Sequence, residues 1–240
     1  MTAPGLCLIG RAHVGGATLF QKLNFECAGG SWTCLLGPSG VGKTTILRLV
    51  AGLETGVAFD GSIKATDGAP LPERIAYMGQ TDLLFPWLDV RQNVLLGARL
   101  RGDSTDPDRA QRLIERVGLS ADGHKRPGQL SGGMRQRVAL ARTLMEDRPI
   151  LLLDEPFSAL DAKTRAEMQE LTAELLVGRT VLLITHDPAE AARLGHSIAL
   201  MSKHGLAWIE PPSSEPIRAY DDADVFDCQS RLMSLIREAA

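Results

Sequence analysis

Residues 37–45 of this chain are Gly37, Pro38, Ser39, Gly40, Val41, Gly42, Lys43, Thr44 and Thr45. An apolar run at 32–36 precedes this glycine-rich segment, and a helical pattern at 46–53 follows it. Glycines allow a tight turn that presents successive backbone N–H groups to phosphate oxygens, and the following helix adds its positive N-terminal end. The sequence therefore predicts a phosphate-binding loop that takes a nucleoside triphosphate.

Two side chains of this loop are expected to act on the nucleotide. Lys43 is expected to bridge the β- and γ-phosphates, and the Thr44 hydroxyl to ligate Mg²⁺. The alternative is a glycine-rich turn between a strand and a helix that binds no ligand. Other parts of a nucleotide site, elsewhere in the chain, distinguish the two interpretations.

A second buried strand is predicted at 150–153, where four apolar residues are followed by Asp154 and Glu155. Such a run is typical of a parallel strand, and ligands of open α/β sheets lie at the carboxyl ends of the strands. Asp154 is then expected to hold Mg²⁺, directly or through water, and Glu155 to be the general base for an attacking water. Alone, the acidic pair could cap a helix or lie in a solvated turn. Its combination with a phosphate loop favours catalysis.

The segment 130–137 has the sequence LSGGMRQR and resembles the signature motif of the ATP-binding subunits of ABC transporters. In that family the motif begins a helix whose N-terminus meets the γ-phosphate bound by a second copy. The resemblance assigns Ser131, Gly132 and Gly133 to this contact. Serine is a good N-cap, glycines expose backbone N–H groups, and a helix N-terminus attracts anions. An ordinary capped helix is the alternative, and both interpretations can hold together.

The same resemblance gives roles to three further residues. Gln80, after a strand-like segment, corresponds to the glutamine that contacts Mg²⁺ and water and links the site to the membrane subunit. The segment 158–161, which runs from Ser158 to Asp161, corresponds to the one that lies across the dimer interface, and His186 corresponds to the switch histidine at the γ-phosphate. Asp187 starts a capping-box pattern with Glu190 and is expected to be structural.

One feature of the family is missing upstream of the phosphate loop. The family stacks the adenine on an aromatic residue there, and this chain has His13 in a segment predicted to be an exposed loop. Phe20 is the nearest aromatic residue, and its pattern predicts a core position on a strand. The sequence therefore leaves open which side chain stacks on the adenine.

Composition agrees with one domain of this kind. The chain has 240 residues, 44% of them hydrophobic, and a net charge of -3, which gives no positive excess for binding nucleic acid. Its four cysteines are scattered and form no C-x-x-C pair, as expected in a reduced cytosolic setting. Neither a membrane span nor a signal peptide is recognisable in the sequence. Any membrane association is therefore expected to come through a partner.

The predicted fold class is α/β, a P-loop NTPase core of the ABC type with an N-terminal antiparallel β part and an inserted α-helical subdomain. A single domain is expected over 1–240, with the helical subdomain at about 89–147 and a C-terminal helical tail at about 217–240. Asp106 and Pro107 are predicted to start a helix in the subdomain. The phosphate loop and the signature are too close in sequence for the coiled-coil insertion of chromosome-maintenance and DNA-repair relatives.

The segment 84–90, with the sequence LFPWLDV, resembles a stretch common in importers of nitrate, taurine, alkanesulfonates and thiamine-precursor pyrimidines. Its Phe85 and Trp87 suit an exposed apolar cleft that receives a short helix of the membrane subunit. The alternative is that both rings fill the helical subdomain.

The resemblance implies a subunit on the inner face of the cytoplasmic membrane. Its expected partners are transmembrane permease subunits, a second copy of itself and, indirectly, a periplasmic solute-binding protein. Its expected function is ATP hydrolysis in a head-to-tail dimer, with ATP and Mg²⁺ as cofactors, that powers solute import. An exporter-type subunit, a non-transport ABC ATPase and a binding-only module are the alternatives.

Overall fold

A computed structural model describes residues 3–239 and divides the chain into two compact units. The first unit comprises the chain up to Ile75, Pro149–Asp154 and the chain from Leu176 onward; the second comprises Ala76–Arg148 and Glu155–Leu175. The predicted domain at 1–240 and the predicted tail at 217–240 include three terminal residues that lie outside the described residues: Met1, Thr2 and Ala240.

The described residues form both strands and α-helices. The strands are β1 (Leu6–Val14), β2 (Ala17–Cys27), β3 (Trp32–Leu36), β4 (Ala58–Ala65), β5 (Ile75–Met78), β6 (Ile150–Asp154), β7 (Thr180–Ile184), β8 (Ser197–Ser202) and β9 (Gly205–Ile209). The helices are α1 (Lys43–Val50), α2 (Val90–Val94), α3 (Leu96–Arg101), α4 (Pro107–Arg116), α5 (Gly132–Met145), α6 (Ala162–Leu175), α7 (Pro188–Leu194) and α8 (Ala223–Ala239).

The first unit contains an antiparallel sheet and a mainly parallel one. The antiparallel sheet has the strand order β2-β1-β4. In the other, the order β6-β7-β3-β8 is parallel throughout, and β9 adds an antiparallel edge. Every residue of β3, β6 and β7 is buried, as expected of central parallel strands. These two sheets confirm the predicted α/β class and its N-terminal antiparallel β part.

The second unit is mainly helical, and capping residues define where its helices start. Asp106 accepts a hydrogen bond from the backbone of Arg109, with Pro107 at the first helical position of α4. Ser131 caps α5 through the backbone N–H of Met134. Both caps were predicted from the sequence and are confirmed. Gly102, with φ 74°, ends α3, and α4 starts separately at its own cap.

The C-terminal part of the first unit packs onto α7. Helix α8 packs against α7 and buries Val225, Cys228 and Leu232. Within residues 3–239, none of the helices combines the length and apolar character needed to cross a bilayer.

Candidate functional site

The loop between β3 and α1 has the backbone that a phosphate-binding loop requires. Gly37, Gly40 and Gly42 have φ angles of 148°, 79° and 108°, which side-chain-bearing residues rarely adopt. A side chain at Gly37 would also collide with the carbonyl oxygen of Met201. Gly42 occupies the N-cap of α1, and no side chain among the described residues caps this helix. The N-terminal end of α1 is therefore arranged to present backbone N–H groups to an anion.

Lys43 folds back over this loop. Its Nζ donates to the carbonyl oxygens of Gly37 at 2.7 Å and Pro38 at 2.8 Å, and the residue is only 8% exposed. An ammonium group has three donors and binds phosphate as a point charge. The loop thus holds a positive charge directly beside its turning backbone.

Asp154 and His186 follow strands of the same sheet. Asp154 ends β6 and pairs in register with Ile184 of β7, while Leu35 of β3 pairs with the same Ile184. Since these strands are parallel, the phosphate loop, Asp154 and His186 all lie at the carboxyl edge of the sheet. Asp154 is 1% exposed and His186 is exposed.

The turn that carries His186 is fixed by the residues beside it. The hydroxyl of Thr185 donates to Glu190 at 2.6 Å and accepts from the backbone N–H of Asp187 at 3.0 Å. Asp187 accepts from the N–H of Ala189 and caps α7, so its predicted structural role is confirmed. The predicted capping box is wrong in one respect. Glu190 is buried and directs its carboxylate to Thr185, because that hydroxyl offers a partner inside the protein.

Thr44 and Asp154 provide the oxygen donors suited to a divalent cation such as Mg²⁺. Thr44 lies in the first turn of α1, and Asp154 supplies a carboxylate that is almost fully buried. Hydroxyl and carboxylate oxygens are the ligands Mg²⁺ prefers, usually together with phosphate oxygens of the substrate. Within residues 3–239, no three His, Cys, Asp or Glu side chains form a cluster that could hold a metal by themselves. The donor set therefore fits a cation shared with a bound nucleotide.

Glu155 is the first residue of the segment 155–175 of the second unit and has an unusual backbone, with φ 51°. Its carbonyl oxygen accepts from the side-chain amide of Gln136 at 2.9 Å and from the hydroxyl of Ser158 at 3.0 Å. Its carboxylate oxygen Oε2 lies 3.5 Å from the side-chain amide nitrogen of Gln80. The second unit thus brings Gln80 to Glu155, and adds Gln136, which the sequence analysis did not single out. The one available signal was its place within the signature.

The remaining predicted site residues lie around the start of α5 and of α6. Ser131 and Gly132 are exposed at the start of α5, and Gly133 lies close to the carbonyl oxygen of Ala159. Asp161 accepts from the backbone N–H of Thr164 at 3.0 Å, and this bond lowers the pKa of its carboxyl group. Asp161 therefore caps the first turn of α6 in this structure.

The expected position of the adenine-stacking residue needs one correction. His13 lies on β1 rather than in a loop, and its Nδ1 lies 3.4 Å from the hydroxyl of Thr18 on the paired strand β2. The hairpin turn starts only after Val14, because β1 and β2 pair up to Ala17. Phe20 is buried on β2, as predicted.

Comparison with known proteins places these features in one family. Residues 20–158 match the family described as ABC transporter. An uncharacterized ABC transporter ATP-binding protein from Haemophilus influenzae is 43% identical over 225 residues, which cover 91% of this chain and 92% of that protein. The aliphatic sulfonates import ATP-binding protein SsuB 1 from Rhodococcus jostii is 42% identical over 205 residues, 84% of this chain and 81% of that protein.

A solved structure shows the same fold. This chain is similar to a dimeric ATP-binding cassette in a post-hydrolysis state bound to ADP and Pi, with a TM-score of 0.73 and 28% identity over 89% of this chain and 99% of that one. The sequence match includes the phosphate loop, the signature and the acids Asp154 and Glu155. The chain belongs to the ABC transporter family and is one of its ATP-binding, ATP-hydrolysing proteins.

Proposed function

We propose that this chain powers solute import across the cytoplasmic membrane by hydrolysing ATP as a head-to-tail dimer bound to permease subunits. The observation that carries the proposal is the convergence of the phosphate loop, Lys43, Asp154 and His186 at one edge of a parallel sheet. The direction of transport follows from relatives such as SsuB 1, which is an import ATP-binding protein. A periplasmic solute-binding protein is the expected source of the solute.

The loop residues bind the triphosphate. The backbone N–H groups of 37–45 surround the phosphate oxygens, and Lys43 exchanges a carbonyl contact for the β- and γ-phosphates. Thr44, Asp154 and Gln80 would hold Mg²⁺, which neutralises charge on the phosphate oxygens when it is bound.

Glu155, Gln80 and His186 act on the attacking water and the γ-phosphate. Glu155 accepts the proton of the water as general base, and Gln80, whose amide lies 3.5 Å from the Glu155 carboxylate, orients both. His186 binds the γ-phosphate from the rigid turn at Thr185.

A second copy completes the proposed site. The N-terminal end of its α5 closes over the nucleotide with Ser131, Gly132 and Gly133, and Asp161 lies at the interface between the copies.

The proposed surface for the permease includes Phe85 and Trp87. Trp87 is 65% exposed, and its ring centroid lies 5.0 Å from that of Phe85. An exposed tryptophan beside a half-buried phenylalanine, on a loop whose backbone is bound by Asn93, suits a helix of a membrane partner. This contact would place the chain on the inner face of the membrane.

The test is the rate of ATP hydrolysis per molecule, measured against the concentration of the purified chain. A shared-site dimer gives a rate that rises with concentration and then saturates. Lys43→Ala should lose at least tenfold in affinity for a fluorescent ATP analogue, since a hydrogen bond to a charged group contributes about 1.5–3 kcal/mol. Lys203→Ala, at an exposed position, is the matched control. A rate independent of concentration, with full activity in Lys43→Ala, would sink the proposal.

A further inference from the structure

Helix α5 carries a buried glutamine whose side-chain amide forms hydrogen bonds with the segment after β6. Gln136 is 7% exposed. Its Nε2 donates to the carbonyl oxygen of Glu155 at 2.9 Å and to the hydroxyl of Ser158 at 3.2 Å, and its Oε1 accepts from the backbone N–H of Ala159 at 2.8 Å. One side chain thus fixes three residues of the segment 155–159, all within the second unit.

The hydrogen bond from Gln136 reaches the carbonyl of a residue, Glu155, whose backbone conformation is strained. A glutamate at φ 51° lies in the left-handed region, which costs free energy for residues other than glycine and persists where the surroundings hold it in place. The Glu155 carbonyl oxygen is held by two side-chain donors, Gln136 and Ser158. Their bonds fix the peptide group that determines where the Glu155 carboxylate points.

The start of α5 contacts the same segment at a second point. A Cβ atom at Gly133 would come within 3.1 Å of the carbonyl oxygen of Ala159, so the glycine permits close contact with the residue that also bonds to Gln136. The signature end of α5 and the segment 155–159 are therefore joined by backbone packing and by the Gln136 amide.

We infer that Gln136 is a positioning residue for Glu155, which sets the direction of the proposed general base and ties it to the helix start that meets the second nucleotide. The inference rests on the proposed function of Glu155. Gln136 is buried and its amide is directed to the segment 155–159, so it acts through the Glu155 carbonyl. Its loss should therefore lower turnover and leave nucleotide binding to the phosphate loop unchanged.

The first variant is Gln136→Leu, which keeps most of the volume and removes all three hydrogen bonds. We expect kcat to fall by about tenfold to a hundredfold, because small misplacements of a catalytic group have effects of this size. The KM for ATP and the Kd for a fluorescent ATP analogue should stay within about threefold of the wild-type values. Thr143→Val is the matched control, since Thr143 is buried on the same helix and donates to Ala139 within it. Its kcat should be close to wild type.

A second variant keeps the test independent of folding. Ser158 is exposed, and Ser158→Ala removes the second side-chain donor to the Glu155 carbonyl together with the hydroxyl that accepts from Gln136. We expect kcat to fall by about threefold in this variant, and by less than the product of the two single effects in the double variant, because both donors hold one group.

The comparison with Glu155→Gln separates the inference from the proposed function. Glu155→Gln could be slow while Gln136→Leu and Ser158→Ala turn over at the wild-type rate. That result would show that the inference about Gln136 is wrong, and it would still support Glu155 as the general base. If Glu155→Gln itself turns over normally, the general base is wrong and the inference falls with it. A rise in KM that accounts for the whole effect of Gln136→Leu would also overturn the positioning role.

Discussion

The side-chain amide nitrogen of Gln80 lies 3.5 Å from the Oε2 atom of Glu155. A carboxylate accepts hydrogen bonds, and an amide that donates to it leaves its own oxygen able to accept from a water molecule. The pair can therefore orient one water between a base and an acceptor. The Glu155 carbonyl, held by Gln136, keeps the carboxylate directed to this place.

Replacement of Glu155 by glutamine tests this arrangement. Glu155→Gln keeps the shape of the side chain and removes the base, so turnover should fall by about 10²-fold, in line with general-base contributions. The Kd for ATP should change by less than about threefold. Single-turnover hydrolysis and nucleotide titration measure the two quantities. Glu167→Gln, at an exposed position of the same unit, is the control. Wild-type turnover in Glu155→Gln would show that another group is the base.

Asn93 lies on α2 and binds the backbone of the segment 85–89, which carries Trp87, so its removal should lower the stability of the protein. It is 0% exposed, donates to the carbonyl oxygens of Leu88 and Asp89, and accepts from the N–H of Phe85 at 2.8 Å. Asn93→Ala leaves these groups without their partner, and each buried unsatisfied group costs about 1–3 kcal/mol. We expect the free energy of unfolding in urea to fall by about 2–4 kcal/mol. Asn24→Ala, at an exposed position of β2, should change it by less than about 0.5 kcal/mol.

Local patterns allowed much of the fold to be predicted. A glycine-rich loop, a run of four apolar residues before Asp154 and a serine at a helix start each depend on neighbours in sequence, so their conformations follow from short-range physics. The phosphate loop, β6 and the cap at Ser131 are found where those patterns indicate.

The features that could not be predicted depend on residues distant in sequence. Glu190 was expected to complete a capping box, and it instead accepts from Thr185 because both are buried together. The left-handed backbone of Glu155 carries no local signal, because the residue is not a glycine and its carbonyl is held by Gln136 from α5, which is distant in sequence. The sequence predicts an exposed loop at His13, whereas β1 extends across this residue because it pairs with Thr18 of β2.

His196 should make the stability of the protein depend on pH. Its Nδ1 accepts from the backbone N–H of Trp32 at 3.1 Å, and partial burial lowers the pKa of the ring below its ordinary value. The unfolded chain therefore binds a proton at about pH 6.5 that the folded protein binds only at lower pH. The stabilisation is fully present above about pH 6.5 and is lost as the pH falls through the folded-state pKa.

The measurement for His196 is urea unfolding at pH values on both sides of this range. His196→Asn keeps an acceptor for the Trp32 N–H and does not titrate. The wild-type protein should lose more stability on acidification than this variant, by a modest amount because the residue as a whole is exposed. Identical pH profiles, or an NMR titration of the ring at or above its ordinary pKa, would contradict the prediction.

Trp87 should contribute to binding of the permease and not to the stability or the basal ATP hydrolysis of the chain alone. Because the side chain is 65% exposed and contacts the Phe85 ring, Trp87→Ala should change the free energy of unfolding by less than about 0.5 kcal/mol and leave basal ATP hydrolysis intact. An exposed tryptophan at the centre of an interface commonly contributes about 2 kcal/mol or more to binding, which corresponds to a loss of affinity of about thirtyfold.

Capture of co-expressed membrane subunits on the tagged chain in detergent measures this loss. Trp208→Ala is the matched control, since Trp208 is 48% exposed in the first unit and stacks on Phe25. Equal capture by the Trp87 and Trp208 variants would mean that the rings of Phe85 and Trp87 only pack on one another, and that the permease binds elsewhere.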